Sequence, residues 1–189
     1  MAALGRLPRT RILVLAGAVL GFVWVLGGLA AGYTELLWYR EVGKTRVFWG
    51  VLEARVVLAL VAGVGTGALV AANLWVTERL ARRHGAGWPE PPDRWQSLLA
   101  PQLRRLEVGA VAVLALGAGL HAAGRWQNLL LWRNRVPFGD ADAQFHRDIG
   151  FYVFTLPLQR LVFGWALFSL LAGFVVVGAA YYLLGRIRL

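Results

Sequence analysis

The sequence predicts an all-α integral membrane protein of about four transmembrane helices, with a short interfacial or re-entrant helix in the third loop. Three observations predict it. Of 189 residues, 58% are hydrophobic and 16% charged, and the mean hydropathy of +0.57 lies well to the apolar side of soluble domains. The apolar residues are sorted into uncharged runs long enough to cross a bilayer. The charges gather between those runs, a pattern that a water-soluble core has no reason to produce.

Residues 12–32 (ILVLAGAVLGFVWVLGGLAAG) contain neither charge nor proline, and about 20 such residues at roughly 1.5 Å each cross the hydrocarbon. Arg6, Arg9 and Arg11 ahead of the run resemble the basic lead of a signal peptide, and Ala30-Ala31-Gly32 a cleavage site. The run is longer than the apolar region of a typical leader, so it reads as an uncleaved anchor. Residues 56–76 form the second span. Within it Ala59, Gly63, Gly67 and Ala71 recur every fourth residue, placing small side chains on one helix face where another helix can approach closely. The glycine string at 63–67 is not a phosphate loop, because it lacks the Lys-Ser/Thr pair that such loops need.

Residues 77–106 read as a polar connecting loop, with Pro89, Pro91, Pro92 and Pro101 interrupting any long helix and Trp88 and Trp95 suited to the headgroup level. The third span, 108–124, carries His121 near one end. With no carboxylate at helical spacing in the same span, His121 reads as a packing or interfacial group rather than a proton relay. The fourth span, 158–185, follows Pro157. Arg160 sits in its first turn, where it can snorkel to the headgroups, and Tyr181 and Tyr182 suit an interfacial belt at the other end. Together, residues 1–189 read as a single transmembrane domain.

The net charge of +10 would point to nucleic acid in a soluble protein. Here the cations flank apolar runs, where they hold anionic headgroups and set topology, so nucleic acid is not an expected partner. The amino terminus, second loop and carboxyl terminus hold 11 of the 20 Lys and Arg residues, against 9 elsewhere even with Arg55 and Arg160 included. Both termini are therefore expected to be cytoplasmic, with anionic lipid near the Arg-rich second loop. The absence of cysteine rules out disulfides, thiolate metal sites, thiol catalysis and palmitoylation.

The two outer loops mix aromatics and charges. In residues 33–52 the run Glu35-Leu36-Leu37-Trp38-Tyr39, then Glu41-Val42-Gly43 and Val47-Phe48-Trp49, resembles the first outer loop of uncharacterised protein family 0182, a group of large bacterial multi-pass membrane proteins. In residues 126–157, Asp142-Ala143-Gln144-Phe145, Asp148-Ile149-Gly150-Phe151-Tyr152 and Leu156-Pro157 are similar to that family's Asp-x-x-Phe, Asp-Ile-x-Phe-Tyr and Leu-Pro signature. The resemblance covers nearly the whole chain and only the amino-terminal portion of the family. It implies a bacterial inner or plasma membrane location and a longer parent protein, of which this chain would be the leading piece. It implies no reaction.

Asp140, Asp142, His146 and Asp148 form the one cluster of metal-ligand residue types. Their spacing matches no strong metal motif. The plainer reading is that Asp142 caps a short helix through Phe145 to Phe154 and that Asp148 pairs with Arg147 or another loop arginine. His146-Arg147-Asp148 spells a kinase triplet without the accompanying kinase motifs. No cofactor and no enzymatic activity are assigned. Thr66 and Ser169 are the small polar groups inside the spans, while Glu53, Arg55, Glu107 and Arg160 lie near span ends, so a permeation path built by this chain alone would be poorly lined. The expected role is a membrane-anchoring structural or interaction module, the alternative being part of a transporter or channel. The expected partners are the bilayer and either a carboxyl-terminal domain beyond this chain or a second copy.

Overall fold

The structure, a computed structural model, describes residues 9–83 and 94–183. Arg6, Trp88, Pro89, Pro91, Pro92, Gly185, Arg186 and Arg188 lie outside the described residues, as do the side chains of Arg9, Arg11, Trp95, Tyr181 and Tyr182. The described chain is helical: α1 Arg9–Glu41, α2 Thr45–Arg83, α3 Arg94–Ala123, α4 Trp126–Arg133, a π-helical turn Phe151–Thr155 and α5 Leu156–Leu183. Four segments are long and apolar enough to cross a membrane: Val14–Glu41, Thr45–Leu80, Arg104–Ala123 and Phe151–Ala180. The short helix expected in the third loop is α4.

Two compact units divide the chain at Gly50 and Val51. In the first, the expected outer loop of residues 33–52 is almost entirely helix. No proline interrupts it, and Glu, Leu, Trp, Tyr and Arg all accept helical geometry, so mixed polarity marked the end of the hydrocarbon and not the end of the helix. α1 stops only at Val42-Gly43-Lys44. The amide of Gly43 donates to Arg40 and that of Lys44 to Tyr39, and Gly43 has φ of 69°. These are the paired bonds of a Schellman stop with glycine in the left-handed position. α2 starts directly after it, and rings of Trp38, Tyr39, Phe48 and Trp49 pack in series across the turn.

The expected connecting loop 77–106 is also shorter than its composition suggested. α2 runs on to Arg83, its 39 residues measuring about 58 Å, and α3 begins at Arg94. Pro101 lies inside α3. One proline removes a single backbone donor and bends a helix more readily than it ends one, particularly ahead of the apolar segment where water satisfies the freed carbonyl. Arg79 on the α2 extension lies over the ring of Trp75, 5.0 Å from its centroid.

The second unit is knit by small residues. Its buried apolar side chains include Val51, Ala54, Ala62, Val70, Ala118, Ala122 and Ala180, joined by the polar pair Thr66 and Ser169. α2 presents two faces. On one, Gly63 and Gly119 of α3 approach so closely that a methyl at Gly119 would lie 2.8 Å from the Ala59 carbonyl, and one at Gly63 would lie 3.0 Å from that of Ala115. Gly67 faces the Ala115 methyl, whereas Ala71 is exposed. On the other face, Thr66 and Ser169 of α5 share a hydrogen bond of 2.9 Å. The indole of Trp165 donates to Thr66 Oγ1 at 2.9 Å and to the Ala62 carbonyl at 3.1 Å. Its ring rests on Gly65, where a methyl would meet it at 2.6 Å. Polar contacts of this kind join helices in lipid, where water offers no alternative partner.

Candidate functional site

Residues 134–150 connect α4 to the π turn and are folded around two aspartates. Asp148 receives backbone amides from both sides. Gly139 donates to Oδ2 at 2.9 Å, Phe138 to the same oxygen at 3.1 Å, and Gly150 to Oδ1 at 2.6 Å. The amides of Gly139 and Phe138, with Gly150 after them, hold the carboxyl below its ordinary value. Asp142 Oδ2 accepts the amide of Phe145 at 2.8 Å and the hydroxyl of Tyr152 at 3.2 Å. The Phe145 amide is the main cause lowering its pKa. A small hairpin links the two acids: Asp142 N–H donates to the Arg147 carbonyl and Ile149 N–H to that of Asp140. His146 turns the corner at φ of 54°.

This geometry corrects two expectations. Asp142 caps a turn at residues 143–145 and not a helix through Phe154, because helical backbone starts only at Ile149. Asp148 does not pair with Arg147. Its oxygens are filled by amides, and the Arg147 guanidinium lies over the ring of Phe151, 4.6 Å from its centroid. Among the described residues, no three His, Asp or Glu side chains gather where they could hold a metal, and Asp140, Asp142, His146 and Asp148 do not converge on one point.

Below this loop lies a cavity of about 780 Å³ between α3, α4, the π turn and α5. His121, Arg125, Asn128, Tyr152 and Arg160 line one end, and Ala118, Leu161, Trp165 and Phe168 are among the apolar lining. Tyr152 connects the two features, because its hydroxyl reaches up to Asp142. Asn128 donates to the Pro157 carbonyl at 3.4 Å, tying α4 to the start of α5. α4 is held from α2 as well: Arg133 and Glu53 form an ion pair of 3.0 Å, and Arg55 lies over Trp126 at 5.5 Å.

The sequence matches a family described as Uncharacterised protein family (UPF0182) over residues 12–189. The chain belongs to this family. It is 37% identical over its whole length to a UPF0182 protein of Salinispora arenicola and 34% identical to one of Frankia casuarinae. A UPF0182 protein of Saccharopolyspora erythraea is 34% identical over 96% of the chain. The chain spans about 19% of the length of each of these relatives. No solved structure matches it.

For this UPF0182 chain, the residues that carry the resemblance now have places. Asp142, Phe145, Asp148, Gly150 and Tyr152 form the loop clamp, and Glu41-Val42-Gly43 forms the stop of α1. The sequence treated His121, Arg125 and Arg160 separately, as a lone histidine, a flanking charge and a snorkelling side chain. The structure brings all three to one cavity. The signal that could have joined them is positional: Arg125 ends the third span and Arg160 opens the fourth, so consecutive antiparallel spans bring them to the same face of the membrane.

Proposed function

We propose that this chain is a membrane-anchoring module of a bacterial cell-membrane protein, with both termini cytoplasmic and the 134–150 loop displayed outside for interaction with other protein. It carries no catalytic machinery of its own. The observation that supports this most is that the buried polar groups inside the spans are already engaged with one another. Thr66, Ser169 and the Trp165 indole form a closed set, and among the described residues no buried side-chain N or O atom lacks a partner. A permeation path needs polar groups free to exchange partners with a solute.

The second reading, part of a transporter or channel, is favoured by the cavity with its arginines. A flux assay on purified protein in liposomes separates the two. Ion and solute leakage equal to that of empty liposomes is the result expected of an anchor. Solute movement that disappears on Gly63→Leu or Gly67→Leu would replace this reading with transport.

A further inference from the structure

We propose that the cavity between α3 and α5 binds an anionic phospholipid taken from the surrounding membrane, its phosphate held by Arg125 and Arg160 and its acyl chains lying along the apolar end.

The charge argument comes first. Among the described residues, the side chains of Arg125 and Arg160 have no ion pair, hydrogen bond or ring contact, whereas those of Arg55, Arg79, Arg133, Arg135 and Arg147 each have one. No carboxylate lines the cavity. Two carboxylates on elements tied to the cavity walls are engaged elsewhere: Asp142 accepts from Tyr152 and Phe145, and Glu53 pairs with Arg133. Two guanidinium groups facing one space with no counter-ion of their own call for an anion, and guanidinium is well matched to phosphate oxygens.

The depth argument selects a lipid over a small ion. From Leu161 to Ala180 the fourth span offers a stretch of about 30 Å, one hydrocarbon thickness, which sets Arg160 at its edge, the level of headgroup phosphates. The lining then runs inward along both helices, from Ala122 back to Gly117 on α3, with Arg125 just past the end of that helix, and from Arg160 to Phe168 on α5. The α5 run covers about 12 Å, most of one leaflet. The polar lining sits at the cation end and the far end is apolar, so the cavity has the polarity gradient of a phospholipid. Its volume falls within the range of small-molecule sites. Phe168 is half exposed and Gly164 is exposed, leaving the inner end open sideways, where acyl chains enter.

Two glycines make the test clean. Gly117 and Gly164 line the cavity, and a Cβ at either would meet nothing within 4 Å, so a leucine there grows from open space on the cavity wall. The purified protein is equilibrated in mixed micelles with dioleoyl phosphatidylglycerol or dioleoyl phosphatidylcholine, and bound lipid is counted by native mass spectrometry. Phosphatidylglycerol is expected to be retained over phosphatidylcholine on the order of tenfold. Arg125→Gln with Arg160→Gln should abolish that preference, while Arg125→Lys with Arg160→Lys keeps most of it. Gly164→Leu should lower retention with both arginines intact. Equal retention of the two lipids, an unchanged preference in the double glutamine variant, or loss of phosphatidylglycerol to millimolar inorganic phosphate would each overturn the proposal. The lysine variant shows whether a loss is specific or reflects misfolding.

Discussion

Trp165 donates its indole N–H across the α2–α5 contact to Thr66 Oγ1 at 2.9 Å, and Thr66 in turn shares a hydrogen bond with Ser169. The set is fully buried at Thr66 and Ser169. Thr66→Val keeps the volume and removes the hydroxyl, leaving Ser169 without that partner and Trp165 with only the Ala62 carbonyl. A loss of about 1–2 kcal/mol is expected, in the range of interhelical hydrogen bonds in membranes. Thr66→Val combined with Ser169→Ala should lose less than the two single changes added together, because neither partner is then stranded. Unfolding of the micelle-bound protein in a denaturing detergent series measures all four members of the cycle, and strict additivity would show the two hydroxyls to be uncoupled.

A second expectation concerns the loop. A methyl at Gly150 would lie 2.7 Å from both Asp148 Oδ1 and the Val136 carbonyl, so Gly150→Ala must displace the carboxylate or the loop segment that passes it. Asp148→Asn is close in shape but replaces one acceptor oxygen by an amide donor facing backbone N–H groups. Both variants should free the amides of Gly139 and Gly150 to exchange with solvent while the spans stay intact. Hydrogen exchange read by mass spectrometry, peptide by peptide, tests this, and unchanged protection over 134–150 would mean that the clamp does not hold the loop.

The same carboxylates set a pH dependence. Asp142 and Asp148 both titrate below 3.8 when folded, so the unfolded loop binds protons more readily than the folded one. Their contribution to loop stability is therefore complete above about pH 3.8 and is lost as pH falls through the depressed folded values. Amide chemical shifts of Gly139 and Gly150 in nanodiscs should move with a midpoint below the ordinary aspartate value. Movement with a midpoint above pH 4 would show that the amides do not stabilise the charged form.

The hydrophobic runs showed the helices well, because lipid imposes a single strong rule: about 20 uncharged residues with every backbone group bonded internally. Where helices leave the lipid that rule lapses. Tyr33 to Glu41 and Thr77 to Arg83 look polar enough for loops, yet the backbone continues as helix through both, and α1 stops only where Gly43 supplies a left-handed residue. Pro101 misled in the same way, being compatible with a helix at the loss of one bond. Of the small-residue face, Gly63 and Gly67 lie against α3 while Ala71 is exposed. The loop clamp was not legible, since Asp148 is held by amides of Phe138 and Gly139 nine or ten residues back, and backbone donors leave no mark on sequence. The cavity was invisible for a further reason: it depends on which faces of α3 and α5 meet.

The proposed orientation is open to a direct check because the chain has no cysteine. Phe145 is 65% exposed at the tip of the loop hairpin, so Phe145→Cys gives one reactive thiol without disturbing packing. A membrane-impermeant maleimide applied to intact cells should label it. Gln102→Cys, on the exposed side of α3 ahead of its apolar segment, should be labelled only after permeabilisation. The reverse pattern would invert the topology and with it the reading of the 134–150 loop as a surface displayed outside.

Close approach of α2 and α3 gives a prediction in which two glycines of one helix behave oppositely. Alanine is favoured over glycine in a helix by about 1 kcal/mol, so Gly117→Ala, with open space around the new methyl, should leave stability unchanged or raise it slightly. At Gly119 the methyl would lie 2.8 Å from the Ala59 carbonyl. That neighbour is backbone and cannot rotate aside, so the helices must separate and the contacts of Gly63 with α3 loosen. Overpacking of this kind costs about 1–3 kcal/mol, enough to outweigh the gain in helix propensity. Thermal unfolding of the two alanine variants in one detergent should place Gly117→Ala at or above the parent and Gly119→Ala below it. If both rise together, helix propensity governs and α2 and α3 do not meet through these glycines.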